Sequence, residues 1–287
     1  MASAAHEDRY WDSPDGLKLH YRHYDGDAAA LPVICMPGLT RNARDFEELA
    51  EHLAGKRRVL CVDFRGRGDS EYARDPMTYN PVVYAGDVAA LLDQAEIERF
   101  VAIGTSLGGL VTSLLATMHG GKIAGYVIND IGPDIDPEGI ERIKTYVGVG
   151  GSYPTWMHAA RSLQEGHGET FPDWSLEDWL AFAKKCMTVG GNGRIVFDYD
   201  MKIAEPFRQS DGAPDVDLWP AFEALGGRPG LLVRGEQSDL LTPATRDAML
   251  ARIDGLESVT VPRVGHAPTL AEPEAIAAID ALLGKAG

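Results

Sequence analysis

The chain reads as an α/β fold: a mostly parallel sheet covered by helices on both faces and interrupted once by a helical insertion. Three observations predict it. Short β-branched runs alternate with longer helical patterns over the first 130 residues, the alternation stops after Asp130, and it resumes at Pro229.

The elements follow in order. Arg9–Asp12 and Leu17–Tyr24, separated by Ser-Pro-Asp-Gly, form an antiparallel hairpin. Pro32–Met36, Arg58–Asp63, Phe100–Gly104 and Ile123–Asp130 are further strands. Between them Asn42–Leu53, Pro81–Gln94 and Ser106–His119 place apolar residues at helical spacing. Strand, helix and strand in succession require crossovers, and hence parallel pairing. From Ile131 to Asp217 no buried strand is expected. Helical pieces at Pro137–Val147, Pro154–Glu165 and Ser175–Met187 are separated by glycine-rich joints at 148–151 and 190–193. Four of the five tryptophans lie at or after Trp156. An insertion of this length in an α/β domain reads as a lid or cap. Pro229–Arg234 is then a strand, and Pro243–Ile253 a helix with Thr242 as N-cap and proline at its first position. Ser258–Val261 is a strand and Pro273–Leu283 the final helix. The division is a core of residues 1–130 and 218–287 and a cap of residues 131–217.

Charge narrows the partners. Among 287 residues the net charge is −16, with 45% hydrophobic and 24% charged residues. Such a surface repels phosphate backbones and anionic lipid, so neither nucleic acid nor membrane is expected as a partner. Cys35, Cys61 and Cys186 are too scattered for a disulfide framework or a zinc site, and the first two sit in apolar runs. The leading MASAAHEDRYW has no apolar signal core, and no stretch reaches the roughly 18 apolar residues of a membrane span. A cytoplasmic location is expected, with no cofactor and no metal.

The chemistry concentrates at Gly104-Thr105-Ser106-Leu107-Gly108. This is G-x-S-x-G between an apolar strand and a helix, where a sharp turn exposes the serine hydroxyl. Ser106 is the expected nucleophile. A serine needs a base, and the base an orienting acid. His266, in a short loop between Ser258–Val261 and the last helix, is the expected base. The other seven histidines pair with no carboxylate, cysteine or histidine at ligand spacing. Asp239, after the strand Leu-Leu-Val-Arg-Gly, is the expected acid, with Asp130, at the end of Ile123–Asp130, as its rival. The chain order Ser, Asp, His matches the order expected for this arrangement and differs from other serine-hydrolase scaffolds. The oxyanion donors are expected to be the backbone N–H groups of Leu107 and of Leu39, since Pro37 has none.

On these residues the chain resembles the α/β-hydrolase superfamily over nearly its full length. Met36-Pro-Gly-Leu-Thr40, Asp63-Phe-Arg-Gly-Arg-Gly-Asp-Ser70, Gly104–Gly109, Arg234–Asp239 and Gly265-His266 carry the resemblance. It implies an eight-stranded sheet, a helical cap between strands six and seven, a triad of Ser106, Asp239 and His266, and an oxyanion hole at Leu39 and Leu107. The chain has Pro37-Gly38 where many members have His-Gly. Serine at the nucleophile position sets it apart from dehalogenases and most epoxide hydrolases. It looks closest to the carboxylesterase, enol-lactonase and carbon–carbon hydrolase branch.

The expected activity is hydrolysis of a carboxylic ester or lactone of a small, largely apolar molecule through an acyl-enzyme. Alternatives are carbon–carbon hydrolysis of ring-cleavage products, acyl transfer, and a hydrolase-like ligand sensor. Trp156, Met157, Trp179, Phe182 and Arg41 are the expected substrate contacts.

Overall fold

Alternation within single strands builds the two faces of the sheet. A computed structural model describes residues 5–206 and 216–287 of the chain. Residues 1–4 of the leading segment and 207–215 of the expected cap lie outside the described residues. In β3 (Val33–Met36) all four side chains are buried, Val33 and Cys35 toward one face and Ile34 and Met36 toward the other. β4 (Val59–Val62) divides in the same way, and so does most of β5 (Phe100–Thr105). A strand buried on both sides needs apolar residues at every position, and each fully buried Val or Ile contributes about 1.5–3 kcal/mol. One face carries α2 (Pro81–Gln94) and α3 (Leu107–His119); the other carries α1 (Glu47–Leu53) and the final helix Pro273–Ala286.

With β1 (His6–Asp12), β2 (Lys18–Tyr24), β6 (Ile123–Asn129), β10 (Gly230–Gly235) and β11 (Leu256–Val261), the sheet has eight strands in the order β1-β2-β4-β3-β5-β6-β10-β11. Only the pairs β1–β2 and β2–β4 are antiparallel. The remaining strands run parallel. The loops after β3, β5, β6, β10 and β11 therefore meet at one edge, the usual place for a site in such a sheet.

Between β6 and β10 lie α4 (Pro137–Tyr146), α5 (Trp156–His167) and α6 (Leu176–Cys186), but also a small antiparallel sheet. Its strands are β7 (Ser152–Tyr153), β9 (Ile195–Phe197) and β8 (Met187–Val189), in that order. The expectation of no strand here is corrected. Runs of two or three residues are too short to show a period of two, and the glycines at 190–193 make a hairpin turn, with Gly193 at φ +74. This segment has a core of its own in which Ala159, Leu163, Phe171, Trp179 and Ile195 are buried.

One buried polar junction ties the hairpin to this edge. Asp63, just after β4, accepts hydrogen bonds from Ala43 N (2.6 Å), Asp69 N (3.0 Å) and His20 Nδ1 (2.7 Å). A Cβ at Gly68 would lie 2.3 Å from the Asp63 carboxylate, so only glycine lets the loop close over it. His20 Nε2 is 3.0 Å from Asp8, so this histidine does have carboxylate partners, one of them 43 residues away and invisible to local spacing. Burial pushes its pKa down, but hydrogen bonds to Asp63 and Asp8 and the charges of Asp63 and Asp69 outweigh that and raise it. A raised value means that the pairing stabilises the fold fully below the ordinary histidine pKa and fades as pH climbs through the raised one. Wild type and His20→Gln compared by thermal unfolding from about pH 5.5 to 9 should show the largest gap in Tm at the acid end. A gap that widens with pH would contradict the assignment.

Candidate functional site

The site is built on the turn from β5 into α3. Ser106 sits there at φ +52, ψ −113, a conformation rare for a residue with a side chain. Its neighbours must be glycine. A Cβ on Gly104 would meet Gly108 O at 2.3 Å, and one on Gly108 would meet Met36 O at 2.0 Å. The Ser106 N–H donates to Asn129 O at the end of β6 (2.9 Å), which holds the turn to its neighbouring strand.

His266 follows β11, and its Nε2 lies 2.9 Å from Ser106 Oγ. Its Nδ1 lies 2.8 Å from Asp130 Oδ2. With Nδ1–H donating to the carboxylate, Nε2 is left to accept the serine proton. Asp130 is fully buried at φ +60. Its other oxygen accepts from Gly235 N at 2.9 Å, which pins the carboxylate between β6 and β10.

The structure thus unites Ser106 with His266 but corrects the acid: Asp130, not Asp239, faces the imidazole. β6 lies beside β5, so a residue one step past its end is already next to Ser106. After β10 the chain turns away, and Asp239 forms a two-pronged ion pair with Arg142 of α4. Burial would raise the Asp239 pKa, but the Arg142 hydrogen bond and charge hold it below the usual carboxylate range. Both aspartates follow neighbouring strands at one edge, so chain order could not separate them.

Leu39 lines the cavity above Ser106, and Leu107 opens α3. Among the described residues neither backbone N–H is taken by a protein acceptor. Two supporting residues went unnoticed in the sequence. Asn129 Nδ2 donates to Thr105 Oγ1 (3.0 Å) and to Pro268 O (2.8 Å), strapping the nucleophile turn to the histidine loop. Arg67, fully buried, donates through Nε to Leu39 O (2.9 Å) and through Nη1 to Arg65 O (2.7 Å) and Tyr84 Oη (2.9 Å). Its guanidinium lies over the Tyr84 and Tyr79 rings (4.9 and 5.5 Å). Arg67 stands in the Arg-Gly-Arg-Gly motif, so the signal was present but pointed to no partner.

The cavity measures about 470 Å³ and is roofed by the segment between β6 and β10. Phe182 and Arg41 line it, with the guanidinium 4.1 Å above the ring. Trp156, Met157 and Trp179 do not. Trp179 is buried among Phe171, Trp174 and Phe182 in the roof's core, Trp156 packs against that core, and Met157 points to solvent. Helical spacing shows that an aromatic faces inward, but not whether the interior it meets is core or cavity. Tyr146, His167 and Trp174 line the cavity and were not foreseen.

Residues 33–279 match the model of the Alpha/beta hydrolase family. A solved structure of an alpha/beta hydrolase from Novosphingobium aromaticivorans is 60% identical, covers 99% of both chains and superimposes with a TM-score of 0.94. A 3-hydroxybutyrate-oligomer hydrolase from Cupriavidus necator is 37% identical over 92% of each chain. A 2-(acetamidomethylene)succinate hydrolase from Mesorhizobium japonicum is 24% identical over 83% of this chain and 82% of its own. No helix among the described residues is long and apolar enough to cross a membrane.

The two aspartates can be told apart by the reactivity of Ser106. Asp130→Asn should slow its labelling by a fluorophosphonate by about 10³-fold or more, because the imidazole loses its tautomer and its counter-charge. Asp239→Asn should stay within about tenfold of wild type. The reverse order would return the role to Asp239.

Proposed function

Because the chain belongs to the alpha/beta hydrolase family, we propose that it is a serine hydrolase that cleaves a carboxylic ester of a small hydroxy acid. The observation that carries this reading is the unbroken hydrogen-bonded path Ser106 Oγ–His266 Nε2, His266 Nδ1–Asp130 Oδ2, opening into one cavity. The 3-hydroxybutyrate-oligomer hydrolase, similar over nearly the whole chain, supports an ester of this kind.

The chemistry is acyl transfer in two halves. His266 takes the Ser106 proton as Oγ bonds to the ester carbon, and the carbonyl oxygen becomes an oxyanion facing the Leu39 and Leu107 N–H groups. The tetrahedral species collapses with cleavage of the carbon–alkoxide bond, and His266 returns the proton to the departing alcohol. Water then gives its proton to His266 and attacks the acyl carbon. The acid leaves, and Ser106 recovers its hydrogen. Asp130 keeps Nδ1 protonated throughout and stabilises the imidazolium.

Ser106→Ala should lower kcat for p-nitrophenyl acetate by about three orders of magnitude or more while the thermal midpoint stays near that of wild type. Persistent turnover in a folded variant would remove Ser106 from the role.

A further inference from the structure

The cavity has a charged end that ester cleavage itself does not use. Arg41 and Arg142 line its wall. A Cβ placed on Gly38 would lie 3.5 Å from Arg41 Cγ and 3.8 Å from Ser106 Cβ, so the Arg41 stem runs beside the nucleophile. Each guanidinium spends Nε and Nη2 on one aspartate, Asp45 for Arg41 and Asp239 for Arg142. Five N–H groups per arginine leave three on each beyond that pair, from which Arg142 also meets Tyr146 and Arg41 meets Cys186.

The acids on the same wall have hydrogen-bond partners. Asp45 is held by Arg41 and Glu48 by Lys185, while Asp178 accepts from Ser175 in a helix cap. Asp239 does not line the cavity, although its partner does. The spare donors on this wall therefore belong to guanidinium groups whose charges are already paired, in a chain whose net charge is −16.

His167 shares this wall. It lines the cavity with its ring edge-on to Tyr146 at 5.3 Å. Its pKa is pushed down to about 4 by burial and then by the charges of Arg142 and Arg41. At neutral pH it is an uncharged imidazole, able to donate one hydrogen bond. Leu163, Phe171 and Trp174 supply apolar wall, suited to a short alkyl chain.

We propose that Arg142, with Arg41, Tyr146 and His167 around it, forms a carboxylate subsite, so that the substrate is an ester with a free acid group. The proposal rests on the serine-hydrolase reading and narrows it to acidic oligoesters over neutral lipids. A guanidinium–carboxylate contact through the N–H groups that Asp239 leaves gives both affinity and register, placing the ester carbonyl over Ser106.

The test compares the linear dimer of 3-hydroxybutyrate with its terminal carboxamide, which has nearly the same shape and no charge. Wild type should prefer the free acid in kcat/KM by about tenfold or more. Arg142→Met should erase that preference. Asp239→Asn should keep or enlarge it, because the guanidinium is then freed for the substrate. Equal kcat/KM values in wild type would overturn the subsite. So would an Asp239→Asn variant that loses the preference as fully as Arg142→Met, since the ion pair would then only brace α4. Should Arg142→Met fail to fold, the wild-type ratio and its decline with added salt decide the matter.

Calorimetric binding of both compounds to the Ser106→Ala protein gives the same comparison without turnover. Tighter binding of the free acid sustains the subsite, and equal affinity sinks it. Loss of the hydrolase reading would show separately, as absence of p-nitrophenyl acetate turnover and of phosphonate labelling at Ser106 in the wild-type protein.

Discussion

Three backbone segments meet around Ser106 at distances only glycine permits, and the rest of the site depends on that meeting. Met36 O lies where a Cβ of Gly108 would be, and the Gly108 carbonyl where a Cβ of Gly104 would be. α3 can thus start directly against β3 and β5, with its first N–H groups aimed at the space above the serine. The cost is the positive φ of Ser106, of order 1–3 kcal/mol for a strained residue, offset by the packing of β3, β5 and α3. A helix end so placed favours negative charge in the space above Ser106.

Around that turn the loops are joined by buried charge. Asp63 gathers His20, Ala43 and Asp69, and Arg65 bridges Asp87 and Asp15. Arg67 is different: it holds the Leu39 carbonyl with aromatic rings in place of a carboxylate partner. A buried cation so placed fixes the loop after β3 and adds positive potential behind it. Removing one member of such a set would strand a charge away from water, which destabilises far more than the intact pair stabilises.

The roof over the cavity is anchored at both ends. On one side Asn42 Nδ2 and Arg44 Nε donate to Lys185 O (2.9 and 2.8 Å), and Arg44 pairs with Asp198. On the other side the Arg142–Asp239 pair and the hydrogen bond from Gly265 N to Thr170 O (2.8 Å) tie it to the loops after β10 and β11. The strap at Thr170 meets Gly265, one residue from His266. Asp239, expected to touch that histidine, acts on the far side of the same joint.

By itself the sequence pointed to the elements of the sheet, the glycine-flanked turn at Ser106 and the histidine loop that meets it. Those signals are local: strand burial on two faces, glycine spacing around Ser106, and a short loop after a late strand. It favoured Asp239 over Asp130, although both stand just past neighbouring strands and chain order is blind to which loop bends back. The tertiary structure decided between them through the Gly235 N–H, which fixes Asp130 beside the imidazole, and through Arg142, which takes Asp239 away. It alone decided which aromatics line the cavity, since helical spacing separates inside from outside but not core from void. Contacts such as Arg67 to Leu39, or His20 to Asp63, join residues far apart along the chain, and only folding brings them within reach of a hydrogen bond.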